Sequence, residues 1–206
     1  IRRQRQMCIR DSFKMIFMAL GAIFALTTFS CSEDEETYRF IGDSIIHRWD
    51  LQNSFPTLIT ENCGLSGSGL EHLQSYSGKC QGTKVIVMSG TNDCGDFRNA
   101  QQAAEYAKEY VDALVSLGAD RVYVYSILPR CFDTDPENIN ESVQLMNKAI
   151  YAELTARSGL SVVYLDVYNS FLDKDGSLNM NLSYDGLHLN PEGYEILTKA
   201  LNKKIQ

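Results

Sequence analysis

Strand-like and helix-like segments alternate along this chain, and that alternation leaves few architectures open to it. Lys84–Met88 (Lys-Val-Ile-Val-Met) is apolar at every position after the lysine and rich in β-branched residues, the pattern of a strand buried on both faces. Arg121–Ile127 has the same character, and Tyr38–Ile41, Leu58–Asn62 and Ser161–Leu165 read as shorter strands. Between them, Ala103, Tyr106, Ala107, Tyr110, Val111 and Leu114 recur at helical spacing. Asn99 with Gln102 forms a capping-box signature at the start of that helix, and Gly118 suits the position just past its end. Val143, Met146, Ile150 and Leu154 mark a second helix, stopped at Gly159, and Asn190 followed by Pro191 begins a final one.

The expected fold is a three-layer α/β/α sandwich. Its core is a parallel, flavodoxin-like sheet of about five strands in the order 2-1-3-4-5. A length of 206 residues suits one such domain, and 44% hydrophobic with 22% charged residues supplies a real core. The net charge of −7 argues against nucleic acid as a partner. Ligands on sheets of this kind bind beyond the carboxyl ends of the strands, where strand order reverses.

The first segment reads separately. Residues 1–31 are expected to be a non-native leader plus a signal peptide: Lys14, then an almost wholly apolar run over 15–29, then small residues before Cys31. That run falls short of the roughly 20 residues a bilayer span needs. The ending resembles a bacterial lipobox, which implies lipidation at Cys31, export, and a membrane-anchored protein of the periplasm or cell surface. The lipid anchor is then the only membrane contact expected. Residues 32–37 read as an acidic linker. Without residues 1–31 the chain keeps 14 basic and 25 acidic residues, a net charge of −11. The domain proper is expected over 38–206.

Four cysteines fall in that domain, and an exported setting permits disulfides. Cys94 and Cys131 each follow a strand, which favours their pairing, with Cys63–Cys80 as the other bridge. Buried free thiols are the alternative.

The chemistry sits in four short segments: Gly42-Asp43-Ser44-Ile45, Asn62-Cys63-Gly64-Leu65-Ser66-Gly67, Gly90-Thr91-Asn92-Asp93 and Asp185-Gly186-Leu187-His188. Ester hydrolysis needs a nucleophile, a base to activate it, and donors aimed at the developing oxyanion. Ser44 lies at a strand-to-helix turn. The chain has three histidines. His47 reads as a rim residue, and His72 reads as part of a solvated helix face. His188 lies in a loop before the last helix, three residues after Asp185, where its ring can swing over the strand ends. Asp173-Lys174-Asp175-Gly176 lacks the later glutamate of a calcium loop and reads as a turn. Trp49 reads as core.

Taken in order, these segments resemble the four blocks of the SGNH hydrolases, the GDSL esterase/lipase superfamily. The resemblance runs from about Tyr38 to the C-terminus. It implies Ser44 as nucleophile, His188 as general base and acid, and Asp185 as the carboxylate that steadies the imidazolium. It implies an oxyanion hole from the backbone N–H groups of Ser44 and Gly67 and the side-chain amide of Asn92, with no cofactor and no metal. The substrate is then a small-molecule or polysaccharide ester, most simply an acetyl ester of carbohydrate. A lysophospholipase or thioesterase is the alternative enzyme, and a glycan-binding surface lipoprotein the alternative without catalysis. A flavodoxin-like cofactor binder would leave Asp-Gly-Leu-His without a role.

Overall fold

A computed structural model describes residues 36–96 and 99–205. The leader, Cys31 and the acidic run up to Glu35 lie outside the described residues. Of the linker expected over 32–37, Thr37 belongs to the first strand, and Glu36 is paired with Lys84 at 2.7 Å.

Five strands form one parallel sheet: β1 (Thr37–Gly42), β2 (Ile59–Gly64), β3 (Thr83–Met88), β4 (Arg121–Tyr125) and β5 (Val162–Leu165). Their order is β2-β1-β3-β4-β5, the flavodoxin-like order expected. Among the described residues six α-helices connect and cover them: α1 (Ser44–His47), α2 (Leu51–Ser54), α3 (Leu70–Gln74), α4 (Ala100–Ser116), α5 (Ile139–Ala156) and α6 (Pro191–Ile205).

Period-2 alternation along the strands divides the core in two. Ile41, Val85, Val87, Val122 and Val124 face α3, α4 and α5, where Leu73, Tyr110, Leu114, Val143 and Met146 are buried. Phe40, Ile86, Met88, Tyr123 and Tyr125 face α1, α2 and α6, with Ile46, Trp49, Phe55, Leu197 and Leu201. Each such fully buried side chain contributes about 1.5–3 kcal/mol relative to exposure. β2 is an edge strand without a single buried residue, which is why its sequence signal is weak.

The helix signals read from sequence correspond to real caps. Asn99 accepts hydrogen bonds from the N–H groups of Gln101 and Gln102 at 3.0 Å, and Gly118 and Gly159 take positive φ beyond their helices. Asn190 accepts from Gly193 N–H at 3.0 Å at the start of α6. Asp173–Gly176 is a turn closed by Gly176 N–H on the Asp173 carbonyl.

The expected disulfides are absent: Cys63, Cys80, Cys94 and Cys131 are free thiols. Each sulfur faces its own neighbour. Cys94 is buried and donates to the Gly90 carbonyl, whereas Cys131 reaches the Leu178 carbonyl and Met180. Cys80 accepts from Arg39, and Cys63 interacts with Tyr76. Following neighbouring strands did not bring Cys94 and Cys131 together, because Cys94 packs into the core on the α3, α4 and α5 face and Cys131 against the opposite one.

Candidate active site

The register of the sheet sets the site. Gly42 pairs with Gly64 on one side and with Met88 on the other, so β1, β2 and β3 end flush. At about 4.8 Å per strand step, the loop after β1 lies between the loops after β2 and β3. A Cβ at Gly42 would stand 1.9 Å from the Met88 carbonyl oxygen, so only glycine lets the chain leave the sheet here.

Asp43 then caps α1, its Oδ1 accepting from Ile45 N–H at 2.9 Å. Ser44 is the first residue of that helix, so its own N–H has no intrahelical acceptor. Its hydroxyl lies 3.0 Å from His188 Nε2, and His188 Nδ1 lies 2.7 Å from Asp185 Oδ2. Three residues that are 144 and 3 positions apart in sequence thus form one hydrogen-bonded chain.

The loop that carries the histidine is built to hold it. Asp185 Oδ1 accepts from the N–H groups of Leu187 (3.0 Å) and His188 (2.7 Å). Burial pushes the Asp185 carboxyl up, but the hydrogen bonds from the His188 ring and from both N–H groups outweigh it and hold it below its ordinary value. Gly186 sits at φ +83°, packed against the Cys131 backbone. Buried Ser183 accepts from Gly186 N–H (2.9 Å) and donates to the His188 carbonyl (2.7 Å), closing the loop on itself.

The other two loops face this chain from the neighbouring strands. Leu65 N–H bonds the Gly42 carbonyl at 2.8 Å, Gly67 takes φ +79°, and buried Ser68 donates its hydroxyl to the Leu65 carbonyl. After β3, Asn92 donates its side-chain amide to the Ser68 carbonyl at 2.8 Å. The structure therefore brings Ser44, Asp185 and His188 into contact, and places Gly67 and Asn92 on adjoining loops. His47 is exposed, with its Nδ1 on the Gly64 carbonyl. His72 is half-buried rather than solvated, its Nε2 2.8 Å from the Cys63 carbonyl. Neither ring belongs to the cluster.

Sequence reasoning missed three supporting residues. Arg130, just after β4, donates Nη1 to the Thr91 carbonyl at 2.6 Å and grips Asp135 with Nε and Nη2. Both side chains are largely buried, at 12% and 6% exposure. Ser183, two residues before Asp185, is the third. A cation in Leu-Pro-Arg and a serine in Ser-Tyr-Asp-Gly carry no signal until their loops are placed. Asp43 is buried behind Ser44 with Oδ2 lacking a partner, and burial pushes its carboxyl up to about 7. Among the described residues, no group of three or more His, Cys, Asp or Glu side chains could hold a metal ion.

A hydroxyl bonded to an imidazole, which is oriented in turn by a carboxylate, can deliver a nucleophile and shuttle its proton. Comparison with known proteins gives the family. Residues 40–196 match the GDSL-like Lipase/Acylhydrolase family. Platelet-activating factor acetylhydrolase IB subunit alpha1 of Pongo abelii is 29% identical over 180 residues, covering 81% of this chain and 74% of that protein. A solved structure from Streptococcus pneumonia superimposes with a TM-score of 0.65 at 26% identity, covering 86% of this chain and 87% of that one. A GDSL-like lipase from Bacteroides thetaiotaomicron shares the fold with a TM-score of 0.64 at 20% identity, over 82% and 87% of the two chains.

Proposed function

This chain belongs to the GDSL-like lipase/acylhydrolase family and is a hydrolase; from that premise we propose that it is a serine esterase that removes acetyl groups from carbohydrate esters. The observation that carries the proposal is the continuous chain from Ser44 Oγ through His188 to Asp185, at 3.0 and 2.7 Å.

In this reading Ser44 Oγ attacks the acyl carbonyl while His188 Nε2 takes its proton. Asp185 receives the Nδ1 hydrogen bond and stabilises the imidazolium as it forms. The carbonyl oxygen gains a full negative charge, held by the N–H groups of Ser44 and Gly67 and by the Asn92 amide. His188 then returns the proton to the departing alcohol, leaving an acyl-enzyme. A water activated by the same imidazole releases the acid and restores Ser44. The name acetylhydrolase among the relatives supports acetyl as the acyl group. A cavity walled by Trp49, Tyr184 and Tyr194, chain neighbours of the triad loops, supports a sugar as the alcohol.

Hydrolysis of p-nitrophenyl acetate and of longer-chain esters, by wild type and by Ser44→Ala, tests this. Acetate hydrolysis that vanishes in the variant is the expected result. Preference for long chains transfers the proposal to lipid or thioester substrates. A folded protein inactive on every ester transfers the proposal to a glycan-binding module.

Export and lipidation at Cys31 belong to the same proposal and rest on the sequence. Labelled palmitate should enter the wild-type chain in a bacterial host and not Cys31→Ala.

A further inference from the structure

A cavity of about 580 Å³ opens between α1, α2 and the start of α6, walled by Arg48, Trp49, Tyr184, Leu189, Pro191 and Tyr194. Three features tie it to the nucleophile. Arg48 follows Ser44 by four residues and bonds its N–H to the Ser44 carbonyl at 3.1 Å. The two side chains therefore share one face, with Cβ atoms about 6 Å apart. Tyr184 immediately precedes Asp185, and its N–H bonds the His188 carbonyl at 2.9 Å. Tyr194 donates its hydroxyl to the carbonyl of Ile45, the residue after Ser44, at 2.8 Å.

The polar groups of this cavity are almost all engaged. Asp50 caps α2 and binds the Asn53 amide, while Glu195 pairs with Lys199. Trp49 Nε1 donates to Ser54, Asn190 bonds Asn181 and Gly193, and Thr198 bonds the Tyr194 carbonyl. Among the described residues, the Arg48 guanidinium has no carboxylate partner. The Tyr184 ring, 70% exposed, has no place in the core. A cation without a carboxylate partner and an open aromatic face thus line a cavity built from chain neighbours of Ser44 and His188.

We infer that this cavity receives the alcohol part of the substrate and that Arg48 selects one carrying a carboxylate, as an acetylated acidic sugar does. The inference rests on the esterase reading above. A guanidinium fork matches a carboxylate in two parallel hydrogen bonds, and the tyrosine face suits the C–H side of a sugar ring. The chain's net charge of −7 gives an anion no long-range attraction, so selection here is a matter of contact.

The test has two arms. In the first, binding of O-acetylated glucuronic acid and of O-acetylated glucose is measured on Ser44→Ala, which does not depend on turnover. The acidic sugar should bind about tenfold more tightly or better, the effect of one hydrogen bond to a charged group. Adding Arg48→Gln should erase that ratio, and Arg48→Lys should restore part of it. Equal binding of the two sugars, or a ratio that survives Arg48→Gln, overturns the inference. So does tighter binding of acetylcholine than of either sugar. In the second arm, wild type is assayed on p-nitrophenyl acetate. Failure there removes the esterase reading, while the binding ratio still decides what the cavity selects.

Discussion

Asn92 holds the carbonyl of Ser68 at 2.8 Å, which ties the loop after β3 to the loop that carries Gly67. A primary amide has two hydrogens, so one fixes the side chain and, in the mechanism proposed above, the other meets the oxyanion. Asn92→Ala should lower kcat by about 10²–10³-fold with little change in KM, as expected for a donor that acts in the transition state. Steady-state kinetics on p-nitrophenyl acetate would show it. A loss confined to KM would mean that Asn92 binds ground-state substrate.

Arg130 holds the same loop from behind, through the Thr91 carbonyl. Its other two arms bind Asp135, and breaking a buried pair of this kind costs about 3–5 kcal/mol. Arg130→Met should therefore lower both Tm and kcat. Arg130→Lys should recover stability better than rate, since one ammonium cannot serve a carboxylate and a carbonyl in the guanidinium's geometry. The two readouts falling and recovering in proportion would make Arg130 a structural residue only.

Gly186 and Gly176 form a matched pair, at φ +83° and +80°. A Cβ at Gly186 would lie 2.4 Å from the Cys131 carbonyl oxygen, while at Gly176 it meets open space. Gly176→Ala should carry the strain of positive φ and little else. Gly186→Ala must also push the His188 loop off the Cys131 backbone, and a shift of about 1 Å at a catalytic group costs about 100-fold in rate. Equal activity in the two variants would contradict the role given to this loop.

Asp43 makes stability depend on pH. Its carboxyl is pushed up to about 7 by burial and by nearby Asp93, against the pull of Ile45 N–H and Arg130, from an ordinary 3.8. The folded value lies above the unfolded one, so between them the native chain keeps a proton that the unfolded chain has lost. That contribution is full below about pH 3.8 and disappears as pH rises through about 7. Asn also caps helices well and does not ionise. The Tm of Asp43→Asn minus that of wild type should therefore grow from pH 5 to pH 8, and a constant difference would show that Asp43 does not titrate in this range.

The alternation of strands and helices was legible because β3 and β4 are continuous apolar runs and the caps at Asn99, Gly118 and Asn190 are local signals. β2 was harder to bound, since an edge strand with no buried residue has no hydrophobic pattern to display. His188 could be singled out because the chain has three histidines, and Ser44 and Asp185 because they fall in the short segments that resemble the family's blocks. Arg130 and Ser183 act through backbone carbonyls and N–H groups, and such contacts depend on where loops meet. The free cysteines mark the same boundary: strand adjacency follows from pattern, whereas the direction of Cys94 and Cys131 from their loops does not.

The central claim is that Ser44 carries the acyl group. Wild type and Ser44→Ala would be treated with an organophosphonate ester, and intact mass and peptide mapping would locate the adduct while hydrolysis is followed in parallel. One adduct on Ser44, with activity lost in step and neither adduct nor activity in Ser44→Ala, is the result expected. An adduct elsewhere, or ester hydrolysis that persists in Ser44→Ala, would contradict it.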